Sequence, residues 1–202
     1  MSRPGAAIAG IRSRRPPTLA SFPYPHFHMK RFFPAALCGR LRRTLVEMGG
    51  WKASDAAFYE MAQLRLRPER LDRDLAWLVE EPFLDGLRAL MGEVFATTLS
   101  TEVALDAHAM SPGQRIGVHN DWRPGRETHR LVVFLNAEWT PEDGGLLMLF
   151  EGPTADQVTS AAAPVCGDAF GFEISPTSYH GVSPVVRETR WTLVYSFRRA
   201  ES

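Results

Sequence analysis

From residue 102 to residue 198 the sequence repeats one pattern six times: a short run of alternating apolar and polar residues, closed by Gly or Pro. The runs cover 102–110, 114–119, 130–136, 146–151, 168–174 and 191–198. Successive side chains on a strand point to opposite faces, so each run reads as a strand with one face turned to a core. Short strands at this spacing indicate an antiparallel barrel or jelly roll.

The residues ahead of these runs follow a different period. Pro34 opens a helix in which Leu37, Leu41, Leu45 and Met48 share a face, and Gly49-Gly50 supplies the stop. Leu71, Leu75 and Leu78 lie on one face of a second helix. A third, opened by Pro82, carries Phe83, Leu87, Leu90, Met91, Val94 and Phe95. From Pro16 to Pro34 prolines alternate with aromatics, which predicts an extended segment laid across the surface as one wall of a pocket. A chain of 202 residues that is 45% hydrophobic has material for one core. The expected organisation is a tail and extended segment over 1–33 and a single domain over 34–202. That domain divides into a helical layer at 34–98 and a β core at 99–199, a mainly β fold with N-terminal helices.

Composition narrows the partners only slightly. The 23 basic residues balance 23 acidic ones, so no global field gathers nucleic acid or an anionic membrane. Cys38 and Cys166 are far apart in sequence and sit in apolar surroundings, which favours buried free thiols over a disulfide and a reducing, cytoplasmic location. Arg3, Arg12, Arg14 and Arg15 stand in an acid-free N-terminal stretch whose apolar run, 6–11, is too short for a secretory core or a membrane span. A disordered tail is expected there, ahead of an organellar transit segment.

The chemistry concentrates near the end of the second run, where His119 and Asp121 are two residues apart and fall on one side of a strand while Asn120 points away. A lone His-x-Asp triplet is weak, since strand-end His and Asp are usually solvated. His180, just ahead of the last run, supplies a third candidate ligand. Two imidazoles and a carboxylate leave three positions of an octahedral ion open, as in non-haem Fe(II) oxygenases. Zinc hydrolases use similar ligands, so the triad by itself does not fix the metal. Arg190, ten positions after His180, heads an apolar strand. Its guanidinium offers a bidentate fork to a carboxylate, and Thr192 on the same strand face adds a hydroxyl.

Taken in order, His119-x-Asp121, the run 130–136 followed by Trp139, Gly144-Gly145-Leu146, His180 and Arg190 resemble the 2-oxoglutarate/Fe(II)-dependent oxygenases of the prolyl 4-hydroxylase-like group. The resemblance covers roughly residues 100–198. It implies a double-stranded β-helix, iron bound by His119, Asp121 and His180, and Arg190 paired with the distal carboxylate of 2-oxoglutarate. It also implies O₂ as co-reactant and ascorbate as a candidate reductant. The Ser111-Pro112-Gly113 turn stands where the family has a Pro-Gly turn before the metal strand. Phe134 and Met110 stand where relatives often carry tyrosines, and Thr192 or His108 are candidates to compensate. The implied reaction is oxidative decarboxylation of 2-oxoglutarate to succinate and CO₂, coupled to hydroxylation of an unactivated C–H bond. The substrate is a peptide or protein side chain, or a small amino-acid-like or natural-product molecule. Halogenation is disfavoured because related halogenases lack the metal carboxylate.

Other features carry less. His108 shares a strand face with Asp106 and Met110 that either lines the pocket or holds a core histidine. The stretch 123–128 reads as a solvated loop near the metal mouth, with a substrate role for Arg123 or Arg126 a weak candidate. His26 and His28 read as surface or packing residues, and Gly144-Gly145 as a tight strand connection with no phosphate-loop pattern around it. The stretch 152–164 reads as a flexible loop bordering the site. The rival reading from another class is a non-oxidative, cupin-like metal-binding module or a degenerate relative with a signalling role. Arg190 argues against it, since such a module has no need of a dicarboxylate anchor.

Overall fold

The computed structural model describes residues 16–56 and 59–201. The arginine-bearing stretch expected to be a tail therefore falls outside the described residues, apart from its end. Among the described residues the chain forms eleven strands and two α-helices: β1 (His26–Met29), α1 (Ala35–Glu47), β2 (Lys52–Ala56), β3 (Tyr59–Leu66), α2 (Glu81–Val94), β4 (Leu99–Met110), β5 (Ile116–His119), β6 (His129–Phe134), β7 (Leu147–Phe150), β8 (Val158–Ala162), β9 (Ala169–Glu173), β10 (His180–Val182) and β11 (Arg190–Arg199).

The strands are ordered β1-β9-β6-β11-β4-β3-β5-β10-β7-β8, with β2 on the outer side of β3, and all pairs are antiparallel. This is a jelly roll. A large sheet runs from β1 to β3, a small one from β5 to β8, and the bridge Tyr59↔Ile116 hinges them. β11 and β4 form the longest ladder, from Arg190↔Met110 to Arg199↔Leu99.

Alternation along the central strands sorts residues onto two faces. Leu131 and Val133 of β6, Leu193, Tyr195 and Phe197 of β11 and Leu105 and Ala107 of β4 face outward, joining one apolar cluster with Leu41 and Leu45 of α1 and Phe83, Leu87 and Met91 of α2. Val132 and Phe134, Val194 and Met110 face inward, joining Leu147, Leu149 and Val182 of the small sheet. The helices thus cap the outer face of the large sheet, and the two sheets close around the inner one.

Two expectations from the sequence are corrected. Leu71, Leu75 and Leu78 belong to no α-helix: 3₁₀ turns at Pro68–Arg70 and Ala76–Val79 bury them irregularly. The stretch 34–98, read as a helical layer, also contains the hairpin of β2 and β3, which extends the large sheet. The extended segment before Pro34 contributes β1 to the sheet edge and buries Phe27, Phe32 and Phe33 in the outer core.

Cys38 and Cys166, distant in sequence, are neighbours in space, and both are free. Burial, reinforced by the adjacent Cys166, pushes the Cys38 thiol above its ordinary pKa and keeps it protonated.

Candidate active site

The alternation expected to carry both first ligands stops at His119, where β5 ends. Asp121 instead adopts a left-handed backbone conformation with φ 54°, one that Asp tolerates better than most residues. That turn, rather than strand phase, swings its carboxylate back toward the imidazoles. His180 begins β10 and is paired with His119 across the β5–β10 ladder. One donor atom from each of His119, Asp121 and His180 lies within 4.8 Å of the others. Among the described residues this is the one group of three such side chains that could hold a metal ion.

The imidazoles are held in matching fashion. Nδ1 of His119 is 2.9 Å from the Gly117 carbonyl, and Nδ1 of His180 is 2.9 Å from the Ser178 carbonyl. A carbonyl only accepts, so both rings carry a proton on Nδ1 and turn Nε2 toward the centre. Each Nε2 faces the same oxygen of Asp121, at 3.4 Å and 3.1 Å. The loop between is pinned to the approach to β10, since the Asn120 side chain donates to the Pro176 carbonyl at 2.9 Å. Burial alone would raise the Asp121 pKa, but Arg130 and the two imidazoles hold it well below the usual carboxylate range. The donor set is two imidazoles and one carboxylate, which suits a divalent iron, manganese or zinc ion.

Arg130 was given no role by the sequence, and it is the closest charged neighbour of the triad. Its guanidinium bonds Asp121 through Nη1 and Glu127 through Nη2, the latter at 2.8 Å. The signal was present in the alternation: Arg130 is in phase with Val132 and Phe134, on the inner face of β6. His129, one residue earlier, points the other way and contacts Phe95 of the helical layer.

Arg190 lies further along the same interior. It is 3% exposed, and Nε donates to the Gly145 carbonyl at 2.8 Å. Nη1 approaches the Met110 sulfur at 3.9 Å, and the guanidinium carbon stands 5.5 Å from the Phe134 ring centre. The two residues found in place of tyrosines thus wrap the guanidinium. Gly145, with φ 60°, fits there because a Cβ would come within 2.8 Å of Arg190 Cδ. No carboxylate of the described residues forms an ion pair with Arg190, and burial lowers its pKa to about 10. It remains charged at neutral pH, with most of its hydrogen-bonding capacity unused by protein.

Thr192 and His108 face each other across the β11–β4 ladder, between the two arginines. Burial first, then the charges of Arg130 and Arg190, lower the His108 pKa to about 3, so the ring is neutral. Asp106, in phase with His108, pairs with Arg65 at 2.7 Å. Tyr24, from the extended segment, also enters this interior: it is 2% exposed and its hydroxyl has no hydrogen-bond partner among the described residues. Burial, and then the charge of Asp121, raise its pKa. The triad opens into a cleft of about 1140 Å³ whose wall includes Tyr59, Gln63, Trp122, Arg126 and Arg198. Arg123 and Arg126 do stand at this mouth. The stretch 152–164 does not: it forms a 3₁₀ turn and edge strand β8 beside β7, away from the cleft.

No curated protein matches the sequence. Residues 105–198 match the family model of the 2OG-Fe(II) oxygenase superfamily. A prolyl-4-hydroxylase of Pseudomonas putida is similar with a TM-score of 0.71 at 25% identity, over 87% of this chain and 92% of that one. A prolyl hydroxylase of Trichoplax adhaerens, solved with a peptide fragment of the hypoxia inducible factor oxygen degradation domain, shares the fold with a TM-score of 0.69 at 13% identity, over 85% and 82%. The viral collagen prolyl hydroxylase of Paramecium Bursaria Chlorella virus-1 does so with a TM-score of 0.64 at 13% identity, over 87% and 96%. The jelly roll and the His-Asp-His group agree with this match to the 2OG-Fe(II) oxygenase superfamily model, which spans the β core of the chain.

Proposed function

We propose that the chain is an Fe(II)- and 2-oxoglutarate-dependent hydroxylase of a peptide or protein side chain, with proline the first candidate. The observation that carries this reading is the pairing of a buried, carboxylate-free Arg190 with the His119, Asp121 and His180 group inside one barrel. A buried guanidinium without an anionic partner is costly, and a dicarboxylate cosubstrate supplies that partner.

In this reading His119, Asp121 and His180 hold the iron, and the backbone carbonyls of Gly117 and Ser178 keep both imidazoles in the ligating tautomer. Arg190 takes the distal carboxylate of 2-oxoglutarate, with Thr192 and the neutral His108 beside it. Iron, 2-oxoglutarate and O₂ together supply the oxidising power, yielding succinate, CO₂ and a hydroxylated carbon. The protein binds, orients and keeps water out. Phe134, Met110 and Val194 make the apolar lining that strengthens the Arg190 interaction.

A peptide substrate is favoured over a free amino acid by the cleft of about 1140 Å³, above the usual range for small-molecule pockets. The prolyl hydroxylase names of similar structures agree with it. The deciding experiment supplies Fe(II) anaerobically, then O₂ and 2-oxoglutarate, and screens proline-containing peptides, free amino acids and small metabolites. Succinate release with a matching gain of one oxygen on a peptide is expected. No 2-oxoglutarate consumption under any condition would favour the non-oxidative metal-binding module.

A further inference from the structure

The net charge of zero conceals an uneven distribution. The cleft over the triad adjoins a second cavity of about 450 Å³, and the two share Ser54, Gln63 and Arg65 in their walls. Together they form one groove lined by eight basic and four acidic side chains. Three of those acids are already engaged, Asp106 by Arg65 and Asp121 and Glu127 by Arg130. Lys52, Arg67, Arg70, Arg123, Arg126 and Arg198 have no carboxylate within ion-pair distance among the described residues, and Glu102 alone remains to offset them.

We infer that this groove selects an acidic peptide segment, placing Asp or Glu residues that flank the oxidised side chain against the unpaired cations. The inference rests on the peptide hydroxylase reading and adds the charge of the sequence being read. Excess positive potential in a cleft with low-dielectric walls concentrates anionic partners and steers their approach. Arg67 and Arg70 stand in the second cavity while Arg123 and Arg126 stand at the mouth of the first. Recognition therefore extends beyond the oxidised residue, and a substrate confined to the triad would leave Arg67 and Arg70 unused.

A nucleic acid is the less suitable occupant. Glu102 and Glu127 stand among the cations and would meet a phosphate on every nucleotide passing them, whereas a peptide can place neutral residues there. The rest of the neutral chain carries the balancing excess of acid, which repels a long polyanion. Trp122, 43% exposed at the mouth, adds an apolar surface suited to peptide side chains.

The test uses three fluorescently labelled peptides with one proline-containing core, flanked by Asp and Glu, by Asn and Gln, or by Lys. Anisotropy titrations into the anaerobic protein with Fe(II) and 2-oxoglutarate should rank them acidic, neutral, basic, with acidic binding weakening as salt rises. The double variants Arg67→Glu with Arg70→Glu, and Arg123→Glu with Arg126→Glu, should each lose roughly tenfold for the acidic peptide while tightening on the lysine-flanked one. An inversion of preference is not produced by misfolding. Equal binding of all three peptides, preferences unmoved by both double variants, or tighter binding of a single-stranded oligonucleotide of equal formal charge would overturn the inference. Charge-blind binding alongside intact succinate release would overturn the groove alone; no 2-oxoglutarate consumption with any peptide would overturn the reading beneath it.

Discussion

The two faces of strand β11 lie one residue apart in sequence and do opposite jobs. Leu193, Tyr195 and Phe197 enter an apolar layer beneath α1 and α2, where the Tyr195 hydroxyl donates to the Leu78 carbonyl at 3.3 Å. Arg190, Thr192 and Ser196 enter the barrel, beside a second arginine, Arg130, the neutral His108 and the Tyr24 hydroxyl, which has no hydrogen-bond partner among the described residues. On β11 the outward residues satisfy their own groups and pack the sheet against the helical layer. The inner face leaves donors unsatisfied by protein, which costs stability and is sustained by the packing behind it. A substitution on the outer face should therefore lower stability and leave chemistry alone, and one on the inner face should impair chemistry without lowering stability.

The sharpest break is expected at the triad. His180→Ala or His119→Ala should abolish iron binding and succinate formation, with circular dichroism close to wild type because neither imidazole belongs to the outer core. Anaerobic iron titration and a succinate assay check this together. Near wild-type succinate production by His180→Ala would show that the three side chains do not act as one site, and full activity with zinc but none with iron would remove the oxygenase chemistry.

Arg190→Met comes next and should separate the two quantities most clearly. Loss of one member of a buried charge pair is on the order of 3 to 5 kcal/mol, so 2-oxoglutarate affinity should fall roughly a hundredfold to a few thousandfold. Without 2-oxoglutarate the same variant should be more stable than wild type, by about 1 to 3 kcal/mol, because an uncompensated buried charge is gone. Isothermal titration and urea unfolding give the two numbers. Unchanged affinity would make Arg190 a structural residue, and reduced stability in the absence of 2-oxoglutarate would mean that its protein contacts suffice.

On the outer face the pattern should reverse. Leu193→Ala empties a fully buried position and should cost about 2 to 5 kcal/mol by cavity formation. At a temperature where the variant is folded, its turnover per molecule and its KM for 2-oxoglutarate should match wild type. A raised KM would show that the faces are mechanically coupled.

Much of this division was legible in the sequence because period-two patterning is a direct consequence of strand geometry. The six runs from 102 to 198 all became strands, and the order His119, Asp121, His180, Arg190 placed those residues in one barrel. What patterning missed had weak or conflicting periodicity. β2 is short and polar, β3 buries Met61, Leu64 and Leu66 at uneven spacing, β10 has three residues, and the leucines at 71, 75 and 78 fit a helical face but are buried in and around 3₁₀ turns. The placement of Asp121 by a left-handed turn is a single backbone torsion with no residue signature of its own. Arg130 was visible in phase with Val132 and Phe134, yet its tie to Asp121 requires β5 and β6 to be placed in space. The charged groove is the converse case: residues from 52 to 198 cancel in the composition and separate only on folding.

The smallest effect tests the outer face through a proton. His129 is fully buried there, with Phe95 4.9 Å away between ring centres and Nδ1 2.9 Å from the Thr128 hydroxyl, while Nε2 has no hydrogen-bond partner among the described residues. Burial, and then the charge of Arg199, lower its pKa from 6.5 to about 4. The unfolded chain takes up this proton near pH 6.5 and the folded chain only near pH 4. Protons bound preferentially by the unfolded state make stability rise with pH, so this contribution is complete above pH 6.5 and is lost as the pH falls toward 4. The steepest slope from one group is about 1.4 kcal/mol per pH unit. His108, whose pKa is lowered to about 3, acts with the same sign and persists in a His129→Gln variant, so the difference between wild type and variant isolates His129. Urea unfolding at steps from pH 7 to pH 5 should give the variant a shallower loss of stability, by about 1 kcal/mol over the lower half of that range. Parallel curves would mean that His129 is protonated in the folded protein at its ordinary pKa, and that water or a rearranged neighbour reaches the outer core.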